Sequence, residues 1–281
     1  MEKVSFFNQL SFELTNLFIK KYSTSFYLSS LFFEKNTRQA IFNIYGFVRL
    51  ADEIVDSFLE FNRIEILKDF EEEVYKSLKR GISPNPVLNS FILTVKEYRI
   101  DIDLIRSFLE SMKQDLYKKE YISNQELQKY IYGSAEVIGL MCLRVFTKQQ
   151  NELYEELKKY AIKLGSAFQK INFLRDLNYD VYILKRKYFP KIDFSNFQEE
   201  DKNKIIYEIE KEFKEARIGI RKLPSNSKLA VWIAYNFYNQ LLNKIKKTSA
   251  LEIFNKRIRI SNLNKFLLIF KCYLEYKLNL I

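Results

Sequence analysis

Residues 45–56 read YGFVRLADEIVD and residues 169–180 read QKINFLRDLNYD, so the chain carries two aspartate pairs with the same i, i+4 spacing. At about 100° per residue on a helix, Tyr45, Arg49, Asp52 and Asp56 fall on one narrow stripe. In the second segment Gln169, Asn172, Asp176 and Asp180 share a stripe in the same way. Both stripes border apolar faces, Phe47, Val48, Ala51, Ile54 and Val55 in one case and Phe168 and Ile171 in the other. Carboxylates placed beside packing surface need partners, and carboxylates brought together raise one another's pKa unless a cation is present. The pattern points to a site for hard cations. A single such pair is more often a solvated helix face, and Arg49 could neutralise Asp52 as an i, i+3 ion pair. The doubling makes that plain reading less economical.

The rest of the composition restricts which cation. The chain has no histidine, and its two cysteines, Cys142 and Cys272, lie far apart. Histidine-based catalysis is therefore excluded, as is a thiolate or imidazole metal site. Oxygen ligands remain, which favour Mg²⁺, with Mn²⁺ as a substitute.

Helices must position these groups. Six glycines and four prolines in 281 residues leave little turn chemistry, and helical periodicity runs almost throughout. It predicts helices over 5–20, 37–61, 63–80, 86–98, 101–117, 123–147, 150–183, 200–221, 225–247 and 261–278. GISPNP (81–86), Pro190 and Pro224 mark the breaks. No linker divides the chain, so one all-α domain over residues 1–281 is expected. The last helix, LNKFLLIFKCYLEYKLNLI, shows a broad apolar face, for which docking on the core is the expected role. Rest on a membrane surface, a peripheral contact that could serve product release, is the lesser expectation.

The formal net charge is +11, from 46 Lys and Arg against 35 Asp and Glu. This favours anionic partners such as diphosphates or anionic lipid. No zinc-finger or RRM pattern accompanies the charge, so nucleic acid is not an expected partner. The N-terminus lacks the apolar stretch of a signal peptide, and FLLIF (266–270) is too short to span a bilayer. A cytosolic protein, peripheral to the membrane at most, is the expectation.

YSTSFYL (22–28), YGFVRLADEIVD, YIYGSAEVIG (130–139) and QKINFLRDLNYDVYILKRKYFP (169–190) together resemble the squalene and phytoene synthase family, the head-to-head branch of the trans-isoprenyl diphosphate synthases. NKRIRIS (255–261) is a weaker match. The resemblance covers nearly the whole chain and is strongest towards bacterial phytoene synthases. It implies a helical bundle around a central apolar cavity, and an Mg²⁺-dependent prenyltransferase acting on prenyl diphosphates. By that resemblance Asp52, Asp56, Asp176 and Asp180, with Asn172, would hold the metal ions. Arg49, Arg175, Arg257, Ser23 and Ser25 would contact phosphate oxygens. Tyr45, Tyr130 and Gln169 would line the reaction centre, and Phe26 would offer its ring to a carbocation.

In the YIYGSAEVIG segment, Tyr130, Gly133, Ser134, Val137 and Met141 lie near one stripe. Close helix packing and a wall of the isoprenoid cavity are equal readings of it. One departure from the family pattern is Tyr22, which stands where related sequences often carry a basic or histidine residue. The expected reaction joins two geranylgeranyl diphosphates to phytoene. Squalene or dehydrosqualene formation from farnesyl diphosphate is the alternative, with NADPH required only for a squalene-type reaction. A non-catalytic helical scaffold is the remote one, and all four aspartates argue against it.

Overall fold

The computed structural model describes residues 2–281, apart from the side chain of Ser195. Helix α1 (Glu2–Tyr22) is followed by the short α2 (Thr24–Ser30), then α3 (Lys35–Asp56), α4 (Arg63–Arg80), α5 (Pro86–Tyr98) and α6 (Ile102–Tyr117). Helix α7 (Asn124–Ile131) passes through a wide π turn (Tyr132–Glu136) into α8 (Val137–Thr147). Beyond it lie α9 (Asn151–Arg175), α10 (Glu199–Lys222), α11 (Lys228–Lys247), α12 (Ala250–Asn255) and α13 (Asn262–Lys277). No strand occurs among the described residues; Glu120 and Lys187 form one isolated parallel bridge.

Local chemistry explains most boundaries. Asn85 caps α5, its Oδ1 accepting from the amides of Val87 and Leu88, with Pro86 at the first helical position. Gly81 ends α4 at φ 78°, a left-handed cap. Helix α3 was expected to continue to residue 61 but stops at Asp56. Arg63 donates from Nη1 to the Val55 carbonyl at 2.6 Å, so a cation closes the last turn of α3 from outside.

The expected helix over 150–183 is also interrupted. Helix α9 ends at Arg175, and Tyr179–Ile183 forms a second π turn. Residues 176–183 hold neither glycine nor proline, so no such breaker marks the end of α9. Asn178 donates to the Phe254 carbonyl, distant along the chain, and the Arg186 amide closes the turn on the Asp180 carbonyl at 2.7 Å. The i, i−4 bonds from the Asp176 amide to Asn172 and from the Asp180 amide to Asp176 survive, so the aspartates keep their relative spacing through the break. The short helices α2 and α12 lie in segments where no helix was expected.

Helix α3 is the central element, packed on α1, α4, α5, α6 and α8. Phe47, buried on α3, stacks on Phe91 of α5 with centroids 4.0 Å apart and meets Phe108 of α6 at 5.2 Å. Asn43 ties three helices together in the same core. It accepts from Thr15 Oγ1 of α1 at 2.8 Å and donates to Thr94 Oγ1 of α5 at 2.9 Å. Helix α9 lies between α8, α10 and α11. Its buried Lys170 donates to Glu212 Oε1 of α10 at 2.9 Å, as does Ser166, so α9 is held by paired polar groups as well as by apolar packing.

At Gly133 the π turn comes against α6. A Cβ there would lie 2.5 Å from the Ser107 carbonyl and closer still to the Ser111 hydroxyl. Gly133→Ala should therefore destabilise the protein by about 1–3 kcal/mol through overpacking. A lower denaturant midpoint at unchanged m-value is the expected result, and an unchanged midpoint would show that α6 gives way freely.

Candidate active site

The two aspartate motifs sit at the same end of α3 and α9, and the electrostatics show that they approach each other. Burial, then Asp56, push the Asp52 carboxyl up to about 8, with Arg49 working against the shift. Burial also lifts Asp180 to about 8, aided by Asp176 of its own motif and by Asp56 of the other. Asp180 and Asp52 make no ion pair among the described residues, whereas the other two aspartates do. Asp56 accepts from Arg186 Nη1 at 2.7 Å. Asp176 accepts from Arg175 Nη2 at 2.5 Å and from Arg257 Nε at 2.7 Å. Each motif thus has one carboxylate held by arginine and one left to raise its pKa.

Arg49 does not neutralise Asp52, as the i, i+3 reading expected. Its guanidinium pairs with Glu53, one turn on, and lies over the Tyr22 ring at 4.6 Å. The unusual Tyr22 therefore supports Arg49 from the side. Tyr45 stacks on Phe26 with centroids 5.4 Å apart, and burial pushes its phenol up to about 12.

Behind the aspartates lies a polar network that sequence reasoning missed. Buried Arg186 reaches Asp56, sits 3.7 Å from Asp115 Oδ1, and donates from Nη2 to the Asp115 carbonyl at 3.0 Å. Asp115, on α6, accepts from the Tyr130 hydroxyl at 2.8 Å. Burial lifts Asp115 to about 7 although Arg186 opposes the shift. Burial works against the Arg186 charge, yet Asp115 and Asp56 raise its pKa overall. Tyr130, Tyr188 and Phe173 close the network with stacked rings, Phe173 and Tyr188 at 3.8 Å. Tyr130 thus lies buried beneath the carboxylates, with its hydroxyl committed to Asp115.

A signal for Asp115 exists, since it falls one heptad after Phe108 on the apolar stripe of α6, where a carboxylate must be buried. Arg186 has none: it sits in the irregular run KRK between exposed Lys185 and Lys187, and reads as a solvated charge. The Glu120–Lys187 bridge is what turns it inward.

Beside the aspartates opens a pocket of about 420 Å³. Ser23, Ser25, Phe26, Arg175 and Arg257, all singled out in the sequence, line it together with Lys265, and no carboxylate does. Ser23 also caps α2, accepting from the Phe26 amide at 3.3 Å. Lys265 of α13 donates to Thr24 Oγ1 at 2.9 Å, and burial, with Arg259 nearby, pulls its pKa down. Asp176, which is not among the lining residues, holds Arg175 and Arg257 from the edge. A surface rich in cations and hydroxyls suits a multiply charged anion.

Next to the pocket, α3, α8 and α9 carry half-buried side chains. They comprise Tyr45, Val48 and Arg49 on α3, Ile138 and Cys142 on α8, and Phe168, Gln169 and Asn172 on α9. Cys142 is half-buried, and burial pushes its thiol up to about 12. Asn172 donates to Gln169 Oε1 at 3.5 Å and accepts from Tyr238 of α11 at 3.3 Å. Ser134 and Val137, the other candidates for a cavity wall, are both buried. The close approach at Gly133 shows that this turn packs tightly on α6.

Among the described residues no three Asp, Glu, Cys or His side chains are gathered closely enough to cage a metal alone. The donor set still fits a hard dication of the Mg²⁺ type, which takes one or two carboxylates and completes its shell with water and phosphate. The unpaired Asp52 and Asp180 are the natural donors.

Residues 19–264 match the squalene/phytoene synthase family model. A phytoene synthase from Arthrospira platensis is 28% identical over 284 aligned residues, which cover 92% of this chain and 90% of the relative. The 15-cis-phytoene synthase of Synechocystis sp. is 27% identical, covering 92% and 82%. A solved dehydrosqualene synthase superposes with a TM-score of 0.83 at 23% identity, over 96% of this chain and 98% of that one. A squalene synthase from Alicyclobacillus acidocaldarius gives 0.74 at 19%, over 85% and 94%. These two likenesses establish the helical isoprenoid-synthase fold. The matched stretch takes in both aspartate motifs, Arg186 and the pocket arginines, and on that ground the chain belongs to the squalene/phytoene synthase family.

Proposed function

We propose that the protein joins two molecules of geranylgeranyl diphosphate head to head, through a cyclopropylcarbinyl diphosphate, to give phytoene. The observation that carries this reading is the juxtaposition of the two aspartate motifs with a basic pocket whose arginines hold Asp176. The half-buried side chains next to it would line a recess for the prenyl chains. The relatives named phytoene synthase at 27–28% identity support the choice of product. Squalene or dehydrosqualene formation from farnesyl diphosphate is the competing outcome of the assay below.

Each group has a part in this chemistry. Arg175, Arg257, Lys265, Ser23 and Ser25 bind and orient a diphosphate in the pocket, where their positive charge favours its departure as an anion. Asp52, Asp56, Asp176 and Asp180, with Asn172, would hold Mg²⁺, which when bound supplies charge neutralisation for the diphosphate oxygens. Tyr45 and Phe26, stacked on each other, present aromatic faces to an allylic cation, each worth roughly 0.5–2 kcal/mol. The apolar side chains of the recess, Val48, Ile138 and Phe168, keep water from trapping that cation as an alcohol. Arg186 and Asp115 hold Asp56 in place from beneath.

Purified protein given Mg²⁺ and geranylgeranyl diphosphate, without reductant, should release phytoene, identified by mass spectrometry. Squalene or dehydrosqualene from farnesyl diphosphate would move the substrate assignment, and no hydrocarbon from either would overturn the reading. Asp52→Asn and Asp176→Asn should each cut turnover by roughly 10²–10³-fold or more, at unchanged helicity by circular dichroism.

The raised carboxyls also predict a pH dependence. Asp52 and Asp180 rise from 3.8 to about 8 on folding, so between those values the folded chain holds protons that the unfolded chain has lost. Metal-free stability should therefore fall as pH rises from about 4 to about 8. Mg²⁺ should raise the melting temperature more at about pH 8.5 than at about pH 6, because it competes with those protons. Thermal melts in Mg²⁺ and in chelator test this, and an Mg²⁺ increment that shrinks with rising pH would contradict it.

A further inference from the structure

Helix α13 is mounted with its polar residues inward. Lys265 reaches Thr24 of α2, and Glu275 Oε2 accepts from the Trp232 indole of α11 at 2.7 Å. Cys272, between them on the same face, is fully buried. Leu268, Ile269 and Tyr276 dock on the core beside them, as expected of the last helix, but a second apolar stripe points the other way. Leu263, Phe266, Leu267, Phe270, Leu274 and Leu278 fall on one stripe at 100° per residue, and all are exposed. Phe266, Leu267 and Phe270 are 59–63% exposed, more than a packed helix leaves to large apolar groups. The polar anchors fix this orientation, so the helix cannot bury that stripe by simply rolling over.

Charge identifies the occupant. From Lys256 to the C-terminus, the exposed charged residues are Lys256, Arg257, Arg259, Lys271 and Lys277, all basic. Glu275, the one acid in this stretch, accepts from Trp232 and lies 3.7 Å from Lys271 Nζ through its other oxygen, so the exposed surface stays net positive with Lys271 still largely exposed. An exposed aromatic and leucine stripe flanked by cations is complementary to an anionic lipid surface. A helix of 16 residues is about 24 Å long, and no described helix is long and apolar enough to cross a membrane. It therefore lies along the interface instead of spanning it.

We propose that α13 docks this protein on anionic membranes, with Phe266 and Phe270 inserted at the acyl boundary and Lys271 and Lys277 among the headgroups. Asn262 and Lys265, in its first turn, line the 420 Å³ pocket, so docking sets the pocket mouth beside the bilayer. The inference rests on this surface alone and stands whichever prenyl substrate the pocket takes.

The test is co-flotation of the full chain with vesicles of phosphatidylcholine, alone or mixed with phosphatidylglycerol. The wild-type protein should bind the mixed vesicles and bind pure phosphatidylcholine far more weakly. Phe266→Ser/Phe270→Ser should weaken binding to mixed vesicles by roughly tenfold or more, at an unchanged melting temperature. Lys271→Gln/Lys277→Gln, which leaves the apolar stripe intact, should remove roughly tenfold of the preference for anionic vesicles. The proposal is overturned if the wild type ignores anionic vesicles, or if neither variant changes binding. It is equally overturned if the wild type is a dimer in solution that the phenylalanine variant splits, with no vesicle binding by either.

Discussion

Five aspartates in one region of a folded chain repel one another, and the way that repulsion is met organises this structure. Arg186 is the central answer: a buried guanidinium reached from a non-helical segment, placed between Asp56 of α3 and Asp115 of α6. Removing one partner from such a buried set leaves an uncompensated charge, which is far costlier than the pair itself is stabilising. Arg175 and Arg257 do the same for Asp176 from the pocket side. What they leave is a deficit at Asp52 and Asp180, one from each motif, and that is where the proposed Mg²⁺ would bind.

The remainder of the fold serves that arrangement. Helix α3 is locked by Phe47 against α5 and α6 and by Asn43 between α1 and α5, so Asp52 and Asp56 project from a rigid rod. Helix α9 is fixed to α10 through Lys170 and Glu212. The break after Arg175 frees the second motif from strict helix geometry without losing its i, i+4 spacing, since the backbone bonds across it persist. The irregular segment then delivers Arg186 to the centre, a position that a continuous helix to residue 183 would not allow.

How far the sequence foretold this depends on the range of the physics involved. Helix identity and the aspartate motifs were legible because periodicity and i, i+4 spacing are local properties, and the pocket residues Ser23, Ser25, Phe26, Arg175 and Arg257 do converge. The end of α3 and the break in α9 were not legible, because the contacts that hold them lie outside the i, i−4 pattern. Arg63 turns back to Val55 and the Arg186 amide to Asp180, and Asn178 is held by Phe254, distant along the chain. The alternative pairing of Arg49 with Asp52 could not be decided from sequence, because Asp52 and Glu53 are both within its reach and only the packed rotamer chooses Glu53. The last helix was legible in part. Leu268, Ile269 and Tyr276 dock on the core as expected, while the anchors to α2 and α11 fix a register that leaves the stripe through Phe266 and Phe270 exposed.

The central claim is that the two motifs form one metal-dependent diphosphate site. Calorimetric titration of inorganic diphosphate into the protein tests it without requiring turnover or a known prenyl chain. The account predicts Mg²⁺-dependent binding that is lost in Asp56→Asn and equally in Asp180→Asn, although the two residues belong to different helical segments. Binding that is as tight in chelator as in Mg²⁺, or that survives the loss of either motif, would contradict it.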